Sequence, residues 1–196
     1  RASARAVREQ AGEKLLGICV FRLPGRNDPA TLQAEEVAAA LNDTETVAVT
    51  VIRAERARPS ALDDQDGAQS LRLTVVNTGT ARALMSDDAL VVDLRVPAGS
   101  VRALDGEGFG AVETLCSMAG TTAASDQADA LPCAARRANV LRLKARAWAG
   151  GYVAHALLSF KGEPPKQFDA SVTTRMDDGR VWRSQQQVTV GNSEQP

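Results

Sequence analysis

Rings are scarce in this sequence: four Phe, two Trp and one Tyr make up 4% of 196 residues. So thin a set excludes a base-stacking surface or a sugar groove built from several rings. An excess of one charge is missing too. Lys and Arg number 23 against 24 Asp and Glu, for a net charge of −1 and a pI near 5.9. No whole-chain field draws nucleic acid or an anionic membrane. Long apolar runs are absent as well. The longest, Leu15 to Leu23, is interrupted by Gly17 and Arg22 and falls far short of the ~18 residues that span a bilayer. The sequence therefore predicts no nucleic-acid partner and no transmembrane segment. The opening Arg1-Ala2-Ser3-Ala4-Arg5-Ala6 lacks the hydrophobic core of a signal peptide, so the chain is expected to be already processed or part of something longer.

Catalytic sets are equally thin. His155 is the only histidine. A Ser-His-Asp site needs a positioned serine and acid, and no Gly-x-Ser-x-Gly element is present, so His155 reads as a structural or surface residue. Cys19, inside Gly17-Ile18-Cys19-Val20-Phe21, reads as a small buried hydrophobe. Cys116, Cys133 and His155 have no recognisable zinc spacing. Asp63-Asp64-Gln65-Asp66-Gly67 resembles half of a calcium loop. In an EF-hand register, however, Leu62 and Leu73 would occupy the end positions, where oxygen ligands are required. It reads as a solvated acidic loop, with a non-EF calcium site as the alternative; Asp87-Asp88 is equally ambiguous. Gly106-Glu-Gly-Phe-Gly110 has no following Gly-Lys-Ser/Thr and no βαβ context, and reads as a flexible loop. No enzyme, cofactor or metal site is expected.

What is present is pattern. At 44% hydrophobic and 24% charged residues, the chain is globular and long enough for one large domain or a medium domain with an appendage. Val7, Ala11 and Leu15 predict a helix over residues 1–16, stopped by Gly17. Ile18 to Leu23 reads as a short strand. Asp28 caps and Pro29 opens a second helix over Ala30 to Leu41, ended by Asn42-Asp43. Thr46 to Arg53 is β-branched and strand-like, and Ile18–Leu23 suits a parallel pairing with it. Thereafter the period is two: Leu71–Val75, Leu90–Val96, Val140–Trp148, Tyr152–Phe160, and a hairpin of Ala170–Arg175 and Arg180–Val190 around Asp177-Asp178-Gly179. Ala111–Cys116 is a short strand, and residues 117–132 read as a long mobile loop. The prediction is a mainly β chain. An antiparallel two-sheet sandwich fills residues 45–196, and a small N-terminal α-β-α segment occupies residues 1–44.

Two features point to contacts and covalent structure. Arg142, Lys144 and Arg146 recur along one strand face about 7 Å apart, with Trp148 continuing the face and Arg136-Arg137 preceding it. They form a candidate binding face for acidic glycans or an acidic protein patch; the alternative is a merely soluble outer sheet. The odd cysteine count leaves at least one thiol unpaired. Cys116 and Cys133 either form a bridge, worth roughly 3 kcal/mol by loop closure, or stay two ordinary thiols.

The stretch Leu71-Arg-Leu-Thr-Val-Val-Asn77-Thr78-Gly79-Thr80 resembles the strand and turn that open the Ig-like repeat domain of bacterial surface proteins, a family without assigned activity. Val96-Pro97-Ala98-Gly99, the pair Cys116 and Cys133, and the alternating Val140–Trp148 follow in that family's order, so the similarity spans about residues 46–190. The resemblance implies an Ig-like sandwich, a Cys116–Cys133 disulfide and an extracytoplasmic location in the periplasm, on the cell surface or in the medium. It implies a non-catalytic module of adhesion, surface structure or assembly of a pilus or secretion system, with a protein or surface-glycan partner. Residues 1–44 lie outside the pattern. They suggest one alternative, a periplasmic accessory or inhibitor that recognises its partner through that segment. A metal-dependent carbohydrate-binding protein is the other.

Overall fold

The computed structural model describes residues 34–42, 44, 47–57, 68–81, 83–84, 86–117, 130–176 and 179–191, with Ala6, Glu9 and Gln10. The last three are helical. The rest of the predicted helix over 1–16, the predicted strand Ile18–Leu23, Cys19, and the acidic loop Asp63–Gly67 lie outside the described residues. So do residues 118–129, most of the predicted mobile loop.

The second predicted helix appears as α1 (Ala34–Leu41). It ends where Asn42-Asp43 predicted, and Thr44 closes it, donating from its N–H (2.9 Å) and its hydroxyl (3.3 Å) to Ala39 O. Those two bonds satisfy a carbonyl that the last helical turn leaves without a partner.

Among the described residues every regular element after α1 is a strand. In chain order the strands are β1 (Thr50–Arg56), β2 (Gln69–Asn77), β3 (Ala83–Leu84), β4 (Leu90–Arg95), β5 (Val101–Asp105) and β6 (Ala111–Cys116). They continue with β7 (Leu131–Pro132), β8 (Val140–Ala145), β9 (Ala147–Trp148), β10 (Val153–Phe160), β11 (Gln167–Arg175) and β12 (Val181–Gly191). Ten of them form one curled sheet in the order β5-β10-β2-β1-β12-β11-β4-β8-β6-β7, while β3 pairs only with β9.

The sheet folds over on itself at the β1–β12 seam. One layer is β5-β10-β2-β1, the other β12-β11-β4-β8-β6-β7. Alternation decides which side chains meet between the layers. Leu71, Leu73 and Val75 of β2 and Ala154, Ala156 and Leu158 of β10 face Leu90, Val92 and Leu94 of β4 and Leu141 and Leu143 of β8, all in one buried cluster. The links β4 to β5, β5 to β6 and β10 to β11 each pass from one layer to the other. Neither layer therefore has a complete core of its own. This is the predicted Ig-like antiparallel sandwich.

Among the described strands only the seam is parallel, and it is short: Ala54 opposes Val190 and Glu55 opposes Gly191. Further along, the two strands part. There the Gln186 amide stands in for the ladder, donating from Nε2 to Thr50 O (2.5 Å) and accepting at Oε1 from Ile52 N (3.4 Å).

The predicted strand Thr46–Arg53 is shifted. β1 begins at Thr50 and runs to Arg56, because residues 47–49 are held sideways. Thr78 N donates to Val49 O (2.8 Å) and Ala81 N to Val47 O (3.0 Å). Gly79 sits under this crossing. A Cβ there would collide with Val47 O and lie 2.6 Å from Val49 N. Asn77 is fully buried yet satisfied: its Oδ1 accepts from Gly79 N (3.0 Å) and its Nδ2 donates to Ala81 O (3.1 Å). The Asn-Thr-Gly turn is thus a close backbone crossing, for which a short amide and a missing side chain are both needed.

Candidate binding face

The predicted basic row starts on β8, in the middle of the second layer. Arg142 and Lys144 project from its outer face, as alternation predicts. Arg146 does not continue the strand. It is a bend residue between β8 and β9. That bend resets the phase, and β9 turns away to pair with β3, placing Ala83 opposite Trp148. Trp148 consequently points inward, is 0% exposed and belongs to the core, its ring 5.4 Å from that of Tyr152. The expectation that Trp148 extends the basic face is corrected: a two-residue period persists only while the strand does.

Strand order also decides what the cations meet. β4 and β6 flank β8 and place carboxylates beside it. Asp93 lies directly opposite Arg142 on one side and Glu113 on the other. Arg142 donates to Asp93 through Nε (2.7 Å) and Nη2 (2.9 Å), a bidentate pair in which the side chains are only 15% and 9% exposed. Those hydrogen bonds, against the opposing effect of burial and with the charges of Asp93 and Glu113, hold the guanidinium proton more tightly than usual. Lys144 Nζ donates to Glu113 Oε1 (2.6 Å). Arg146 pairs with Asp87 at 3.0 Å, where both side chains are largely exposed and the contact is worth little.

The face is therefore not a positive stripe. Read across the strands it runs Gln185, Ser171, Asp93, Arg142, Glu113, with Arg183, Thr173, Val91, Lys144 and Ala111 in the next row. The charges of Arg142 and Lys144 are met within the sheet. Asp93, Val91 and Thr173 are themselves buried, at 7%, 8% and 3% exposed, so the accessible part of this side is Gln185, Arg183, Lys144 and Glu113, which offer hydrogen bonds rather than a field that attracts anions. Sequence reading missed Asp93 and Glu113. Asp93 did leave a signal, as the lone carboxylate in the apolar run Leu90–Val96, since such groups are buried only when paired.

Other candidates resolve more simply. Cys116 and Cys133 are bonded, with Cα atoms 5.7 Å apart, and join β6 to the residue after β7. His155 stands half-buried on the outer side of β10, its Nδ1 3.2 Å from the Thr74 hydroxyl. Asp88 takes a hydrogen bond from the Ser86 hydroxyl (2.5 Å) and faces Arg175 (2.5 Å). These partners, the Ser86 bond foremost, hold its carboxyl below the usual range. The Gly106–Gly110 segment, expected to be flexible, is pinned instead: Phe109 N donates to Gly106 O, Gly110 N to Lys144 O and His155 N to Glu107 O, each at 2.9 Å. It carries the chain from one layer to the other, and Phe109 packs on the core. Among the described residues no group of three His, Cys, Asp or Glu is placed to hold a metal, and no helix is long and apolar enough to cross a membrane.

No family model matches this chain, and no curated relative does. Among solved structures it is similar to the collagen-binding subdomain of the Enterococcus faecalis surface protein ACE, at 10% identity and a TM-score of 0.37, covering 73% of this chain and 96% of that one. A Nocardia farcinica protein with an immunoglobulin-like fold is similar at 15% identity and a TM-score of 0.38, with 71% and 97% covered. A family 3a carbohydrate-binding module from the Clostridium thermocellum scaffolding protein gives 10% identity and a TM-score of 0.35, with 69% and 100% covered. Likenesses this distant carry no functional argument; the class rests on the strand order, shared core and disulfide described above.

Proposed function

We propose that this chain is a non-catalytic, extracytoplasmic Ig-like module that works by contact: adhesion, surface structure, or assembly of a pilus or secretion system. The observation that carries this reading is the outer side of β12, β8 and β6, where Gln185, Arg183, Lys144 and Glu113 stay accessible around the nearly buried Asp93–Arg142 pair. Its central cation is bound bidentately from within the sheet. A rigid polar face of this kind suits recognition of a protein or surface glycan by hydrogen bonds and shape, with little contribution from net field. The Cys116–Cys133 bond supports an oxidising compartment. In this reading residues 45–196 are the sandwich domain and residues 1–44 a segment apart from it.

The test uses the intact chain against envelope extract and a glycan array, beside a Lys144→Ala/Arg146→Glu double variant. The expected outcome is a retained partner or glycan that the variant loses while melting at an unchanged temperature. Retention by both proteins would remove this face from the contact. Two further thiols labelled by alkylation of the native protein, before any reductant, would count against the compartment.

A further inference from the structure

The Cys116–Cys133 bond sits at the end of the sheet, where β7 is the last strand in the order. Two unequal attachments meet there. β6 is paired with β8 at five residues, from Ala111 opposite Lys144 to Leu115 opposite Val140. Its end is clamped as well. Ser117 N donates to Asn139 Oδ1 (2.8 Å), Asn139 Nδ2 to Ser117 O (3.3 Å) and Asn139 N to Leu115 O (3.1 Å). β7 is paired with β6 at two residues, Leu131 and Pro132, and proline has no N–H to give. Next to them Cys133 donates from its N–H to Thr114 O (3.0 Å) and accepts at its carbonyl from the Thr114 hydroxyl (2.7 Å).

The bond also lies outside the core. Both cysteines are half-buried, while Leu131 and Pro132 are exposed, Leu131 at 68%. Neither cysteine nor either β7 residue belongs to the buried cluster between the layers. Arg136 and Arg137 follow in the next turn, both exposed. They give the bond a positive setting, which favours the thiolate that leaves in exchange. Exposed disulfides are the labile, exchanging class.

We propose that Cys116–Cys133 is a reversible thiol–disulfide exchange site for a dithiol reductant, and that its reduction releases β7 and opens the β6 edge while the sandwich stays folded. A reductant thiolate attacks one sulfur of the pair; the other leaves as a thiolate and takes up a proton. The reductant's second thiolate then attacks the mixed disulfide and releases the remaining cysteine as a thiol. The protein gains two electrons and two protons, and the dithiol becomes a disulfide. Strand phase decides which groups this uncovers. Cys133 N–H bonds to Thr114 O, and Asn139 N–H to Leu115 O. Thr114 and Cys116 therefore turn their peptide groups towards β7, and Glu113 and Leu115 turn theirs towards β8. The opened edge has no proline, and its one charge, Glu113, is already paired with Lys144. It lacks the usual devices that keep an edge from pairing with a further strand.

The experiment is native-state amide exchange, read by NMR on the full chain carrying Cys19→Ser, with and without dithiothreitol. Millimolar dithiothreitol should open the bond without denaturant, both thiols should then react with iodoacetamide, and oxidation should re-form the bond. Thermal unfolding of the reduced chain should stay cooperative. On reduction the amides of Thr114, Cys116 and Cys133 should speed up roughly tenfold or more beyond any change at Glu113 and Leu115 in the same strand. Cys116→Ser/Cys133→Ser should show the same alternating pattern with no reductant present. A bond that yields only in denaturant would overturn the proposal. So would loss of cooperative melting on reduction, or exchange that changes evenly along β6 or not at all.

Discussion

Asp93 and Arg142 give the most direct way to challenge the account of the outer face. The perturbation is a cycle of Asp93→Leu, Arg142→Met and both together. In the native sheet the guanidinium makes two charge-assisted bonds to the carboxylate, at 2.7 and 2.9 Å. The side chains keep only 15% and 9% of their exposure. Removing one partner of such a pair leaves a charge poorly solvated, which for full burial costs about 3–5 kcal/mol. Partial exposure of Arg142, and the carboxylate of Glu113 on its other side, reduce this to about 2–3 kcal/mol, by the same reasoning. The double variant places two apolar side chains beside Val91 and Val140 on a β-sheet and should fall within about 1 kcal/mol of the wild type. The assay is urea unfolding followed by fluorescence. With a slope near 2 kcal/mol/M, each single change moves the midpoint down by roughly 1 M. Alkaline pH will not mimic Arg142→Met, because Asp93 holds the guanidinium proton more tightly than usual. Single variants that each shift the midpoint by less than about 0.3 M, or a double variant that shifts it by the sum of both, would refute the reasoning.

Three further outcomes are expected. Trp148→Ala should cost about 3–5 kcal/mol as a core truncation. In a Trp182→Phe protein the remaining Trp148 emission should resist iodide, and efficient quenching would place that ring on the surface. Gly79→Ala should destabilise by at least about 2 kcal/mol, because its Cβ meets the backbone of Val47 and Val49 and backbone cannot swing aside; a neutral effect in thermal melting would dissolve the crossing. Replacing Cys116 and Cys133 together by serine should cost up to about 3 kcal/mol, and mass spectrometry after alkylation should find a single free thiol in the non-reduced wild type, since the chain has three cysteines.

The sequence alone determined the class. Period-two runs such as Leu71–Val75 and Val140–Ala145 can bury one side only as strands, and the turn at Asp177-Asp178-Gly179 joins neighbours in the chain. These are local properties, so β2, β4, β6, β8, β10 and the β11–β12 hairpin were legible without coordinates, whereas the short strands β3, β5 and β7 were not. The α1 terminus at Leu41 was legible for the same reason. Three matters were decided only by tertiary structure. The bend at Arg146 sent Trp148 inward, because the strand left β8 for β3 and its alternation began afresh. The crossing of residues 47–49 over Gly79 delayed β1 to Thr50. The strand order set Asp93 and Glu113 on either side of Arg142, turning a row that looked basic into one whose charges are largely met from within. Neighbours in a sheet lie tens of residues apart in the chain, and a charge pattern read along one strand cannot show what the strands beside it will supply.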